Sequence, residues 1–188
     1  MTCLRKNHKR SVYYDKSAGQ YTKYFTPKFE LKLKYWLRLR KYPGLNFAYI
    51  ARKLQALGLN TPQIIEAEKY KVVTREIAAP TLREYLQNSN DPNVYEQFVE
   101  VVARILNAGI SFFDFNQGNF LYKDGQFYVI DLEGYTDSVF ISRGKAGVLY
   151  RIEKDLGAPF RKEIERRWVN ETLAQKVSGV FQKLRGKK

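Results

Sequence analysis

Cysteine and histidine are almost missing from this chain. Cys3 is the single cysteine among 188 residues, which excludes an internal disulfide and stands against a thiolate zinc site. His8 is the single histidine and lies in a basic amino-terminal stretch. That count stands against a Ser-His-Asp triad, a three-histidine metal site and HExxH chemistry. Any catalysis must therefore run on carboxylates, amides, lysines and backbone groups. Acidic residues are also few: 19 Asp and Glu against 33 Lys and Arg leave a formal charge of +14. Such an excess points to a polyanionic partner, whether phosphorylated saccharide, acidic lipid or nucleic acid. No uninterrupted apolar run approaches the ~20 residues of a membrane span, and no signal-peptide pattern opens the sequence. The expectation is a soluble cytoplasmic protein. Internal repeats and low-complexity linkers are absent as well.

What is present suffices for a folded domain. At 44% hydrophobic and 15% aromatic the chain can build a core, and its length suits one compact domain or two small lobes. Residues 1–10 are basic without apolar period and read as a tail or an unfinished edge. SVYYD and QYTKYF flank KSAG as a hairpin over 11–26. Segment 29–40 alternates like a strand, yet also fits one helical stripe, with helix slightly preferred. Phe47, Ile50, Leu54 and Leu57 predict a helix capped by Asn46 and ended by Gly58. Two strands follow within 61–77. Thr81 and Glu84 form a capping box, and Asp91-Pro92 opens a longer helix that stops near Gly109. Helices are expected at 144–156 and, as one continuous element, at 160–184.

The hairpin in FLYKDGQFYVI carries the chemistry. A two-residue turn at Asp124-Gly125 pairs residue 119 with 130 and sets 118 opposite 131. Asn119 and Asp131 are then neighbours, and Asp114 lies in the loop entering the first strand. Carboxylate and amide oxygens are hard ligands suited to Mg²⁺. Asn119 and Asp131 holding that ion, with Asp114 beside it to accept a hydroxyl proton, fits phosphoryl transfer. Singly, each of the three also reads as a loop cap or a strand end.

The segment AGISFFDFNQGNFLYKDGQFYVIDLEGY resembles the catalytic and metal-binding segment of the protein-kinase-like superfamily: D-x-x-x-x-N spans Asp114 to Asn119, and Asp131 stands at the DFG aspartate. Within that superfamily the pattern is most similar to bacterial lipopolysaccharide core heptose kinases. YTKYFTPK, LxxLGLNTPQ, VVTREIAAPTLREYL and ISRGKAGVLYRIEKDLG extend the resemblance over roughly 20 to 160. It implies an α+β, two-lobed kinase-like fold with a reduced amino lobe over 1–78 and a mainly helical carboxy lobe over 79–188. It further implies Lys23 on the phosphates of ATP, the backbone of Arg75 and Ile77 on adenine, and Thr74 behind it. The implied activity is Mg²⁺-ATP-dependent transfer of the γ-phosphoryl group to a heptose hydroxyl of the lipopolysaccharide core, with peripheral inner-membrane contact. Two alternatives stand beside it: a protein Ser/Thr kinase of the same fold, and a non-catalytic pseudokinase or binding module on an anionic surface or RNA. Charge and tyrosine content permit nucleic acid, but no recognition signature supports it.

Three departures mark the sequence. Phe112 stands two before Asp114, where most kinases have His, and packing alone would have to order the loop. No Glu on the 47–57 helix can pair with Lys23; Glu30, Glu66 and Glu68 are the nearby acids in sequence. Residues 1–10 contain no glycine for a phosphate loop, leaving Arg5, Lys6, Lys9 and Arg10 as phosphate-binding substitutes.

Overall fold

In the computed structural model, which describes residues 1–89, 91–113, 115–138 and 144–184, the chain begins with a strand. Segment β1 (Thr2–Lys6) pairs antiparallel with β2 (Arg10–Asp15), so of the two readings of the amino-terminal stretch, tail or unfinished edge, the sheet edge is the one found. The strands are joined at Asn7, whose Oδ1 accepts from the amides of Lys9 (2.9 Å) and Arg10 (2.9 Å). A side-chain oxygen thus supplies the acceptor that ties this turn. β3 (Gln20–Phe25) completes the expected hairpin.

α1 (Phe29–Trp36) is a helix, which resolves the ambiguous segment. α2 (Pro43–Ala56) starts three residues before the predicted Asn46 cap. Pro43 occupies the first turn, where its missing N–H costs nothing. The Asn46 side chain instead donates from Nδ2 to the Tyr135 carbonyl at 2.9 Å. Gly44 has to be glycine: a Cβ there would sit 2.1 Å from the Glu68 carbonyl oxygen. This close approach seats α2 on the turn between β4 (Ile64–Ala67) and β5 (Lys71–Arg75). The five-stranded sheet has the order β1-β2-β3-β5-β4, antiparallel throughout.

After an extended stretch, α3 (Leu82–Asn88) begins at the capping box of Thr81 and Glu84. α4 (Pro92–Asn107) buries Val94, Phe98, Val101 and Ile105 as its periodicity predicts, under the cap of Asp91. β6 (Ser111–Phe112) leads into the loop before β7 (Phe120–Lys123) and β8 (Gln126–Val129). Asp124 and Gly125 both have positive φ (51° and 75°), the conformation a two-residue hairpin turn requires. β9 (Tyr135–Thr136) pairs back onto β6.

α5 (Lys145–Leu156) matches expectation, but the predicted helix over 160–184 is two: α6 (Ala158–Arg167) and α7 (Leu173–Leu184). Asn107 makes the break by donating to the Arg167 carbonyl and accepting from the Asn170 amide, both at 2.9 Å. Trp168 is buried there, while Leu173 on the other side of the break is 77% exposed.

The core is one cluster joining α2 to the helical half, with a phenylalanine centre. Phe98 lies within 4.7–6.2 Å, centroid to centroid, of Phe115, Phe120, Phe127 and Phe160. Among the described residues no helix is long and apolar enough to cross a membrane.

Candidate functional site

The β7–β8 ladder pairs Phe120 with Val129. One step beyond, the Ile130 amide donates to the Asn119 carbonyl at 2.9 Å, so Asn119 and Asp131 flank the same open end of the hairpin. Asp131 adopts the left-handed conformation (φ 57°, ψ 40°). Asp tolerates it better than most residues, and such positions concentrate at functional sites. The turn that follows sends Glu133 toward the sheet.

Lys23 on β3 meets these acids. Its Nζ forms an ion pair with Asp131 Oδ1 and lies 3.5 Å from Glu133 Oε2. Arg10 Nη1 bonds Glu133 Oε1 at 2.7 Å and stands 3.6 Å from Asp131 Oδ2. The partner of Lys23 is therefore an acid from the hairpin side, and none of Glu30, Glu66 and Glu68. Glu66 pairs with Lys71. On α2 the residue facing Lys23 is Phe47, whose ring centroid lies 5.8 Å from Nζ. Burial works against the Asp131 carboxylate, but Lys23, then Arg10 and Arg5, outweigh it and hold its pKa below the ordinary range.

These groups open onto a cleft of about 390 Å³ between the sheet and the hairpin. Five expected site residues line it: Lys23, Thr74, Arg75, Ile77 and Asp131. Thr74 is buried on β5, opposite Tyr21 of β3. The Ile77 amide donates to no group among the described residues, whereas the Arg75 amide is taken by the Gln63 carbonyl at 2.9 Å. Arg5 and Arg10 also line the cleft, on either side of the Asn7 turn. Lys23, Arg10 and Arg5 around the partly exposed Asp131 carboxylate make a wall suited to a polyphosphate, with Val12, Phe47, Leu121 and Ile130 giving apolar surface for a ring.

Asp114 lies outside the described residues. Its neighbours are firmly held. The Phe113 amide donates to the Gly134 carbonyl at 2.9 Å. Phe112 is buried, with ring centroids 4.9 Å from Phe115 and 5.8 Å from Tyr135, so packing does order this position. Beyond it, Asp155 of α5 accepts from the Gln117 amide at 2.9 Å and pairs with Arg83 at 3.1 Å. Arg83 also donates to Asn116 Oδ1. Sequence reasoning missed Glu133, Arg83 and Asp155. An acid two residues after Asp131 was a usable signal for Glu133; nothing local marks the other two.

The donor chemistry at the hairpin end suits a hard divalent cation. Asn119 and Asp131 leave the same end of the hairpin, the Asp131 carboxylate is 27% exposed and lines the cleft, which Asn119 does not, and Glu133 stands close by.

Comparisons with known proteins bear on the family and the fold. The chain is 32% identical over 114 residues to the EKC/KEOPS complex subunit BUD32 of Encephalitozoon cuniculi (strain GB-M1), covering 58% of this chain and 55% of that protein. The alignment thus spans about half the length of that curated relative. The solved Rio2 kinase of Chaetomium thermophilum, as its ADP/Mg²⁺-phosphoaspartate complex, superposes with a TM-score of 0.53 at 15% identity, over 100% of this chain and 67% of that one. A second structure of that kinase gives 0.54 at 16% identity, over 95% and 63%. The fold is therefore the α+β kinase-like one that the sequence resembles. The narrower resemblance to lipopolysaccharide core heptose kinases gains no support from these matches. The RIO-domain model matches residues 6–145, and the chain belongs to the RIO-domain family.

Proposed function

We propose that this chain is an ATP-dependent phosphotransferase of the atypical protein-kinase type, acting on a protein hydroxyl. One observation carries the reading: Lys23, Thr74, Arg75, Ile77 and Asp131 converge on a single cleft from separate strands and turns. In this reading Ile77 N–H and the Arg75 backbone hold adenine, with Thr74 behind the ring. Lys23, assisted by Arg5 and Arg10, holds the phosphates where a glycine-rich loop would use backbone amides. Asn119 and Asp131 would hold Mg²⁺, which when bound neutralises developing charge on the phosphates. Lys23 then moves from pairing Asp131 to pairing phosphate, while Glu133 keeps Arg10 in place. Asp114 orients the acceptor hydroxyl and takes its proton as the oxygen attacks, and ADP leaves.

The protein acceptor is favoured over a lipopolysaccharide sugar because the chain has a RIO domain and its named relatives are the Rio2 kinase and a subunit of the EKC/KEOPS complex, none of them named for a sugar. Association with a protein complex belongs to the same proposal.

The test incubates the purified chain with γ-labelled ATP, Mg²⁺, Ser/Thr peptides and dephosphorylated lipopolysaccharide core, beside Lys23→Ala, Asp114→Asn and Asp131→Asn. Acid-stable label on peptide or chain, falling about a hundredfold or more in each variant, is the expected result. Hydroxylamine-labile label would identify a carboxylate acceptor and a hydrolytic cycle. Label on the saccharide would restore the sugar kinase, and nucleotide binding without turnover would make the chain a pseudokinase. Failure to bind ATP overturns the reading.

A further inference from the structure

α1 is apolar on two opposite sides. Tyr35 faces inward and is buried, its ring packed 5.3 Å from Tyr42 and 6.3 Å from Tyr70, and Leu31 lies on the same side. Phe29, Leu33, Trp36 and Leu37 recur at i, i+4, i+7 and i+8, which puts them on the outward face. They are 80%, 45%, 73% and 50% exposed. A soluble domain that turns two aromatic rings and two leucines to solvent in two helical turns has a surface meant to be covered.

The surrounding charge says what covers it. Between 28 and 41 there are six cations, Lys28, Lys32, Lys34, Arg38, Arg40 and Lys41, and one acid, Glu30. Lys28, Lys32, Lys34 and Arg38 make no ion pair among the described residues. Arg38, Arg40 and Lys41 gather with Arg52 around a surface basin of about 560 Å³ at the end of α1. A second copy of the chain would bring these cations against one another. Nucleic acid would neutralise them but leave Leu33 and Leu37 uncovered. An anionic bilayer meets both needs in one plane: headgroups for the cations, acyl chains for the stripe, and an interface that favours tryptophan.

We propose that α1 and the 38–41 loop form a peripheral docking surface for an anionic membrane. The proposal goes beyond the phosphotransfer reading and stands without it, because no α1 residue lines the nucleotide cleft. Arg40 lies over the Phe113 ring at 5.3 Å, so the docking loop adjoins the segment that carries Asp114. With two turns of helix, docking is reversible and depends on charge as much as on the stripe.

The experiment measures co-sedimentation of the full chain with phosphatidylcholine vesicles, with and without 30% phosphatidylglycerol. Anionic vesicles should bind at least tenfold tighter, and high salt should weaken them. Phe29→Ser with Trp36→Ser, both at exposed positions, should lose at least tenfold while thermal stability stays unchanged. Lys32→Gln and Lys34→Gln should each lose about fivefold. Equal binding to neutral and anionic vesicles overturns the proposal. So does a serine double variant that binds like the wild type, since net charge alone would then account for binding. A double variant that instead loses self-association or poly(U) binding assigns the stripe to another occupant and equally overturns it.

Discussion

Every residue of β1 is exposed and every residue of β2 half-buried, whereas α4 buries eight of its sixteen residues. The two sides of the cleft are held by different forces. On the sheet side, Arg5, Arg10 and Lys23 sit on strands with little apolar backing, and ion pairs to Asp131 and Glu133 tie two of them across the cleft. On the hairpin side, the carboxylates stand on a segment fixed by Phe112, Phe115, Phe120 and Leu132, all buried. The acids are preorganised and the cations adapt to them. A bound polyphosphate would order the sheet side far more than the hairpin side.

The largest effect that could break this comparison lies in the phenylalanine cluster. Phe98→Ala removes a ring that is 1% exposed and touches four others, and should cost about 3–5 kcal/mol in a urea melt. Val12→Ala on half-buried β2 should cost about 1 kcal/mol at most. Equal losses at the two positions would mean the sheet is as tightly built as the helical half.

A smaller effect probes the tie between the sides. Asp131→Asn leaves Lys23, whose side chain is 14% exposed, with Glu133 alone, and should cost about 1–3 kcal/mol at neutral pH. The pH dependence sharpens it. The native Asp131 pKa lies below the ordinary 3.8, so the unfolded chain takes up the proton first as acid is added. Its contribution is complete above the unfolded pKa and is lost as pH falls through the native one. Wild-type stability should thus drop between about pH 5 and pH 3 more steeply than that of Asp131→Asn. Asp137, lowered despite burial by Lys53 and Tyr49, has the same sign and keeps some slope in the variant. Identical slopes would show that the pair does not couple the two sides.

The same division decides what could be read from sequence. The Asp124-Gly125 turn and the alternation around it are local, so the register that brings Asn119 beside Asp131 was legible. So were both helix starts at Thr81 and Asp91, where cap and first turn lie within four residues. The break after Arg167 was not, because Asn107, sixty residues earlier, makes it. Nor was the Arg10–Glu133 pair, which joins residues 123 apart. The start of α2 lay between these cases: Pro43 is a local signal, but Asn46 offers a competing cap that tertiary structure diverts to Tyr135. Site residues on single strands could be named, while their partners across the cleft depended on how the halves meet.

The smallest effect falls where the halves join. Thr81 lines the cleft, bridges to Leu121 of β7 and caps α3. The Glu84 amide donates to its hydroxyl oxygen at 3.2 Å, and its own amide and hydroxyl both donate to Glu84 Oε2 at 2.8 Å. Those two donors, the amide first, hold the Glu84 carboxyl below its ordinary range. Thr81→Ala removes the hydroxyl and leaves the amide bond, so it should cost about 1 kcal/mol, and Thr81→Ser should restore most of it. ATP affinity should change little in either variant if Thr81 is a joint and not a ligand. A loss of affinity in Thr81→Ala that Thr81→Ser repairs, at unchanged stability, would move this residue from the framework of the cleft into its binding surface.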